Sequence, residues 1–422
     1  MVSTARRWNS NGALLILAAT VTAGVAGYLV TLVVYRFIGP AAYAVFAIFW
    51  ATLYLVIGAS SGVQQEITRA TSPIGSLRTT HSASARNFAL VAAAIIVAAI
   101  VCSAPLWVDS VFPADGWALV WPLAVGAGGY VLVAVLAGSL YGVRRWPSLF
   151  LMIVVDGLMR FGFVMIVLIF TQNVVALAWV VAVPFPLTLM VLWPFIRAGI
   201  VGRYELDTSY RTLAWNSART VLASMATAVL VSGFPLLLGV TSRGESTVLV
   251  GQLIFTITLT RAPLIVTAMS LQSYFVVHFR HHRSGWWRLL LGILGVIVTG
   301  GAVLGTLGWW LGPGVFEWVS GKPFSLGGGL IAVLVASSAL VGALFVTGPA
   351  VLARAQHRVY SLGWVAAALL TIGLMITPID FLPRVALALL LGPFAGLLVH
   401  LSWLVASRGE PVDETQDSSM GL

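Results

Sequence analysis

Two charged residues stand inside an apolar run at residues 149–171: Asp156 and Arg160, in the stretch IVVDGLMRFGF. A charge at the centre of a bilayer costs roughly 2.5–3.5 kcal/mol on insertion scales, so such residues pair or face a water-filled cavity. At a spacing of four they share one helical face. Either the pair neutralises itself and fixes a helix contact, or both residues line a cavity. In the second case Arg160 attracts an anion such as a lipid phosphate, and Asp156 holds it in reserve or binds a coupling cation. A second arginine, Arg261, lies in TITLTRAPLIV with no acid in its own run. It lines a cavity or takes a partner from another span, for which Asp156 is the candidate. Gln252, Thr256 and Thr260 recur every four residues beside it, a polar stripe on one helix face. Pro263 removes an N–H and clashes with the carbonyl of Leu259. A break of that kind at membrane depth needs protein or water to satisfy the backbone. Pro263 and Pro235 are the candidate hinges.

Further polar residues flank these. Arg36 and Arg219 sit near the ends of apolar runs. They snorkel to the headgroups, or receive a phosphate on its path. The second run carries an aromatic stripe, Tyr43, Phe46, Trp50 and Tyr54, continuing to Ser61 and Gln65. Such a stripe stacks on sugar rings or packs against neighbours. Gln64, Gln65 and Glu66 cluster at the end of that run, a solvated helix end or a contact for polar substrate. Asn216, Thr220, Ser224 and Thr227 make a similar stripe in the seventh run. The segment HFRHHRSGWWR holds three histidines but no carboxylate, so it reads as a headgroup anchor rather than a metal site.

The elements that must position these residues are transmembrane helices. Of 422 residues 59% are hydrophobic and only 9% charged, with mean hydropathy +1.00. Soluble domains carry about 25% charged residues. About 20 apolar residues span the hydrocarbon core, and windows of that kind fall at 12–37, 40–63, 87–109, 116–143, 149–171, 174–197, 215–240, 247–277, 288–311, 327–350, 359–378 and 382–406. The runs are continuously apolar rather than alternating, which predicts helices and not a barrel. The expected fold is therefore an all-α polytopic membrane protein of about 12 helices. With the N-terminus inside, sixteen arginines fall in the inner gaps, while the outer gaps hold only Arg243, Lys322 and Arg384. The positive-inside rule then puts both termini in the cytoplasm, in the inner membrane. The net charge of +10 lies in these short gaps and does not indicate nucleic acid. The single cysteine, Cys102, excludes a disulfide framework.

The most polar internal connection, 198–214, divides the chain into six-helix lobes at 1–197 and 215–406, followed by a disordered tail at 407–422. An even number of spans in each half implies parallel repeats with a substrate site between them. RFIGPAAYAVFAIFWATLYLVIGASSGVQQE and SRGESTVLVGQLIFTITLTRAPLIVTAMSLQ correspond at an offset of half the chain. The first of these resembles the first-hairpin signature of Wzx-type polysaccharide flippases. These belong to the multidrug/oligosaccharidyl-lipid/polysaccharide (MOP) exporter superfamily. The matching features are a Gly-Pro turn, Tyr43, Phe46 and a polar end to the second span. The second hairpin is similar to its counterpart, with Glu245 where a proline is common, and spans 13 and 14 of some relatives are absent.

The resemblance implies a MATE-like fold and a flippase that moves a polyprenyl-phosphate-linked sugar or oligosaccharide to the outer leaflet by alternating access. It also implies glycosyltransferases of the same pathway as partners. No phosphate-cradling GxxxxGK[ST] is present, so the drive is an ion gradient (H+ or Na+), the membrane potential or substrate supply. No cofactor is expected. The outer gaps are too short for an acceptor site, which argues against an enzyme. Two other readings stand beside the flippase: an ion-coupled drug or metabolite antiporter, and a scaffold for glycan enzymes.

Overall fold

In a computed structural model, residues 2–73, 83–113, 116–281, 286–354 and 356–407 are described. The described side chains exclude those at 2–11, 13, 73, 262–263, 265–274, 276–278 and 280–281. The tail beyond 407, the histidine-rich loop and the side chain of Pro263 therefore lie outside the described residues.

The chain is a succession of apolar helices. They are α1 (Val2–Ala70), α2 (Ala85–Val111), α3 (Gly116–Gly142), α4 (Trp146–Phe170), α5 (Val174–Ala182), α6 (Pro184–Ile196) and α7 (Tyr210–Ser232). After these come α8 (Phe234–Thr241), α9 (Thr247–His281), α10 (Trp286–Ser320), α11 (Gly328–Leu352), α12 (His357–Met375) and α13 (Phe381–Ala406). Among the described residues nine helices are long and apolar enough to cross a membrane, ten if α7 and α8 are one bent span. The chain is a multi-pass membrane protein.

Three local breaks follow from the sequence. Windows 12–37 and 40–63 both fall in α1, which turns at Gly39, where φ is 78° and ψ 170°. That φ favours glycine, and Pro40 restarts the helix where its missing N–H leaves nothing unpaired. Between α5 and α6 the helix is interrupted at Val183, ahead of Pro184 and Pro186. Between α7 and α8 the axis bends by 71° at Gly233, with Pro235 in the first turn of α8. By contrast α9 runs through position 263 as one helix.

The chain divides into two compact units, one of residues 1–266 and 309–331, the other of 267–308 and 332–422. In the first, α1 packs against α3, α4, α7 and α8, and α2 against α3. The helices α7 and α8 and the start of α9, which follow the 198–214 connection, thus share a unit with α1–α6. That connection is itself ordered by a two-stranded sheet. β1 (Thr71–Pro73), leaving the end of α1, pairs antiparallel with β2 (Tyr204–Leu206). In the second unit α12 packs along α13. At one end of that unit Phe279, Trp286, Leu290, Val346, Ala350, Val351 and Leu404 pack in one cluster.

Candidate functional site

In the first unit Asp156 and Arg160 meet. The Arg160 Nη2 donates to both carboxylate oxygens of Asp156, at 3.0 and 2.8 Å. Its Nη1 donates to the Tyr54 hydroxyl at 3.0 Å, and its Nε to the Val181 carbonyl at 3.2 Å. The guanidinium also lies 4.4 Å from the Phe185 ring centroid. The Val181 carbonyl sits just before the α5–α6 interruption, where the prolines of α6 disturb the ladder. Arg160 thus ties α4, the second segment of α1 and the α5–α6 break together. It is buried, and all three of its nitrogens are engaged. The Asp156 side chain keeps 19% exposure against 7% for Arg160, so the acid is the accessible member. A desolvated charge pair of this kind is held by its geometry and its extra hydrogen bonds.

The aromatic stripe divides. Trp50 stacks on Tyr54, with centroids 4.9 Å apart and planes at 4°, and so shields the Arg160 knot. Tyr43 is buried with Tyr35 and Phe255, and Tyr35 stacks on Phe255 at 3.8 Å. Phe316 meets Phe255 edge-on and stacks on Phe324 at 5.0 Å. Tyr43 therefore belongs to an aromatic plug joining α1, α9 and the end of α10.

The polar stripe on α9 is internally bonded. Thr256 and Thr260 donate to the carbonyls one turn back, Gln252 and Thr256. Gln252 is buried; its Nε2 donates to Pro323 O at 2.9 Å, and its Oε1 accepts from Ser325 N and Oγ at 3.2 and 2.6 Å. It fastens the connection between α10 and α11 onto α9. Arg261 is buried 5.9 Å from the Phe234 ring centroid at the α8 bend. Arg36 is exposed beside Gly321, and Arg219 and Gln65 are exposed.

A seam the sequence did not place runs between α1 and α7. Gly62 lets the backbones touch, and a Cβ there would collide with the Thr220 and Val221 main chain. Thr220 Oγ1 donates to Gly62 O at 2.8 Å. One turn on, the buried Glu66 accepts from Arg69 Nε and Nη2 at 2.9 and 2.8 Å and from Asn216 Nδ2 at 2.9 Å. Arg69 also reaches Asp207 at 3.5 Å. Glu66 and Asn216 both showed in the sequence as polar residues near run ends, but nothing local says that they meet. In the second unit His400 is buried between Thr347 Oγ1 at 3.1 Å and Tyr360 O at 3.2 Å. Its signal was a lone imidazole in the last apolar run. Among the described residues no group of three His, Cys, Asp or Glu side chains is placed to hold a metal ion.

No family model matches the chain. The uncharacterized protein Rv3630 of Mycobacterium tuberculosis is 32% identical over 390 residues, covering 91% of this chain and 89% of that protein. Rv1510 of the same organism is 31% identical over 393 residues, covering 92% and 90%. An inward-facing multidrug resistance MATE family transporter of the MOP superfamily superposes with TM-score 0.65 at 14% identity, over 91% of this chain and 96% of that chain. An outward-facing one gives TM-score 0.62 at 15% identity, over 95% and 96%. At such identities the likeness is one of fold.

Proposed function

The chain belongs to the family that includes Rv3630 and Rv1510 of Mycobacterium tuberculosis, and with its MATE-like fold as premise we propose that it is an alternating-access transporter. The observation that carries this reading is the superposition, over nine-tenths of the chain, on transporters solved in both inward- and outward-facing forms. A fold by itself does not fix a substrate, so the substrate is argued from residues. We read the topology as twelve spans in two six-helix lobes, 1–197 and 215–406, with both termini cytoplasmic in the inner membrane. The 71° bend at Gly233–Pro235 is a candidate hinge.

The substrate in this reading is a polyprenyl-phosphate-linked sugar or oligosaccharide, passed from the cytoplasmic to the outer leaflet. Two sequence features support it: the hairpin signature around Gly39, Pro40 and Tyr43, and the excess of arginine over acid within the spans. Arg160 and Arg261 are the phosphate-attracting candidates, and Arg160 is also held by Asp156, Tyr54 and Val181. Glycosyltransferases of the same pathway supply the substrate, and H+ or Na+ is a candidate coupling ion.

The partly exposed carboxylate of Asp156 favours a second reading, an antiporter for organic cations. Deletion of the gene separates the two. The flippase reading expects a polyprenyl-linked glycan to accumulate on the inner leaflet, cleared by wild type but not by Arg261→Ala. Unchanged lipid-linked glycan together with sensitivity to cationic drugs would favour the antiporter.

A further inference from the structure

We propose that the end of the second unit where α10 starts, α11 ends and α12 starts is a seat for the phosphate of an anionic phospholipid headgroup, with Arg354 as its principal ligand. Helix ends converge there. Trp286 and Leu290 of α10, Val346, Ala350 and Val351 of α11 and Leu404 of α13 pack in one cluster, with Trp287, Tyr360 and Trp403 against it. Tryptophan and tyrosine gathered at the ends of apolar helices mark the headgroup level of a bilayer.

Arg354 follows α11 and is half-buried at that level. Its guanidinium carbon lies 3.4 Å from the centroid of the Trp286 ring. A stack of this kind occupies the face of the guanidinium and leaves its N–H edge available. Among the described residues no hydrogen bond or ion pair engages that edge. Burial against the indole holds its pKa below the usual arginine value, which is the cost of a cation without a counter-ion. An oriented fork of N–H donors matches phosphate oxygens.

Among the described residues the charges at this end have one sign. Arg288 in the first turn of α10, and His357 and Arg358 in the first turn of α12, are exposed at the same end. The 19-residue α12 begins without a side-chain cap, so its first N–H groups also face any anion placed there. Among the described residues of this unit the one carboxylate is Asp380, at the opposite end of α12. A site with an indole wall, a fixed arginine fork, two further arginines and free helix N–H groups suits a headgroup that carries net negative charge. A zwitterionic headgroup would bring its own cation into the cluster.

The test uses the full-length protein in detergent. Native mass spectrometry would measure retention of phosphatidylglycerol, phosphatidylcholine and inorganic phosphate. Wild type should retain phosphatidylglycerol in preference to phosphatidylcholine. Arg354→Gln should weaken phosphatidylglycerol binding roughly five-fold, the loss expected for one basic contact. Arg354→Lys, which keeps the charge but not the stacked fork, should fall between. If Arg354→Gln does not fold, Arg288→Gln with Arg358→Gln carries the same test from the exposed rim. Equal retention of the two lipids by wild type overturns the proposal, as does undiminished phosphatidylglycerol binding in the variants. Retention of inorganic phosphate alone, without the lipid preference, makes this a soluble-anion site and overturns the assignment to lipid.

Discussion

If Glu66 fastens α1 to α7, a double-mutant cycle with Asn216 must show coupling. The Glu66 carboxylate is 4% exposed and takes one hydrogen bond from Asn216 across 150 residues of sequence, at 2.9 Å. It takes two more from Arg69, whose side chain is 51% exposed. The two contributions have unequal weight. A half-exposed pair is screened and contributes about 0–1 kcal/mol. A buried hydrogen bond to a charged acceptor contributes about 1.5–3 kcal/mol. Glu66→Ala should therefore destabilise by about 2–3 kcal/mol, most of it from the α7 side.

Asn216→Ala removes the same contact from the other side, while Arg69 still satisfies the acid. The double variant should lose less than the sum, with a coupling of about 1–2 kcal/mol. The assay is equilibrium unfolding in mixed micelles by detergent titration, for wild type, both single variants and the double. Arg69→Ala serves as the exposed control and should cost less than about 1 kcal/mol. Additivity within about 0.5 kcal/mol would mean that the two side chains do not meet in the membrane, and the seam as described would be wrong.

Other outcomes follow from the same geometry. Gly62→Ala should cost about 1–3 kcal/mol, because its methyl enters the Thr220–Val221 backbone; the same unfolding titration checks it. Arg160→Ala strands the carboxylate of Asp156 and should destabilise by about 3–5 kcal/mol, whereas Arg160→Met with Asp156→Leu should recover much of that loss. A double variant as unstable as the single one would contradict this. Gln252→Leu should release the 321–327 connection, read as faster amide exchange there with little change in the rest of α9.

Much of this architecture was legible because its determinants are local. Long apolar runs marked the helices, Gly39–Pro40 the turn inside α1, and Pro235 lies at the α7–α8 bend. The four-residue spacing of Asp156 and Arg160 anticipated their pairing, since neighbours on one helix face meet whatever the tertiary fold. What the spacing could not carry was the rest of the knot. Tyr54 lies 106 residues from Arg160, and the Val181 carbonyl is a main-chain group with no side-chain signature. Those contacts make Arg160 a tie between helices as well as the partner of Asp156.

The stripe at Gln252 shows the same limit. Periodicity placed three polar residues on one face, but only the fold shows that Gln252 is held by Pro323 and Ser325. Glu66 looked like a solvated helix end because its partner, Asn216, comes from the far side of the 198–214 connection. Arg354 stacked on Trp286 follows the same rule.

The most direct test of the central claim is transbilayer movement in proteoliposomes. A polyprenyl-phosphate-linked sugar, labelled and loaded symmetrically, is exposed to a membrane-impermeant oxidant, and the oxidised fraction is followed in vesicles with and without protein. The account predicts that protein-free vesicles react to about half, the outer-leaflet share, while vesicles with wild type go on towards completion. Arg261→Ala should leave the reaction near the protein-free value. Equal fractions with and without the wild-type protein, in vesicles where its folding is verified, would contradict the account.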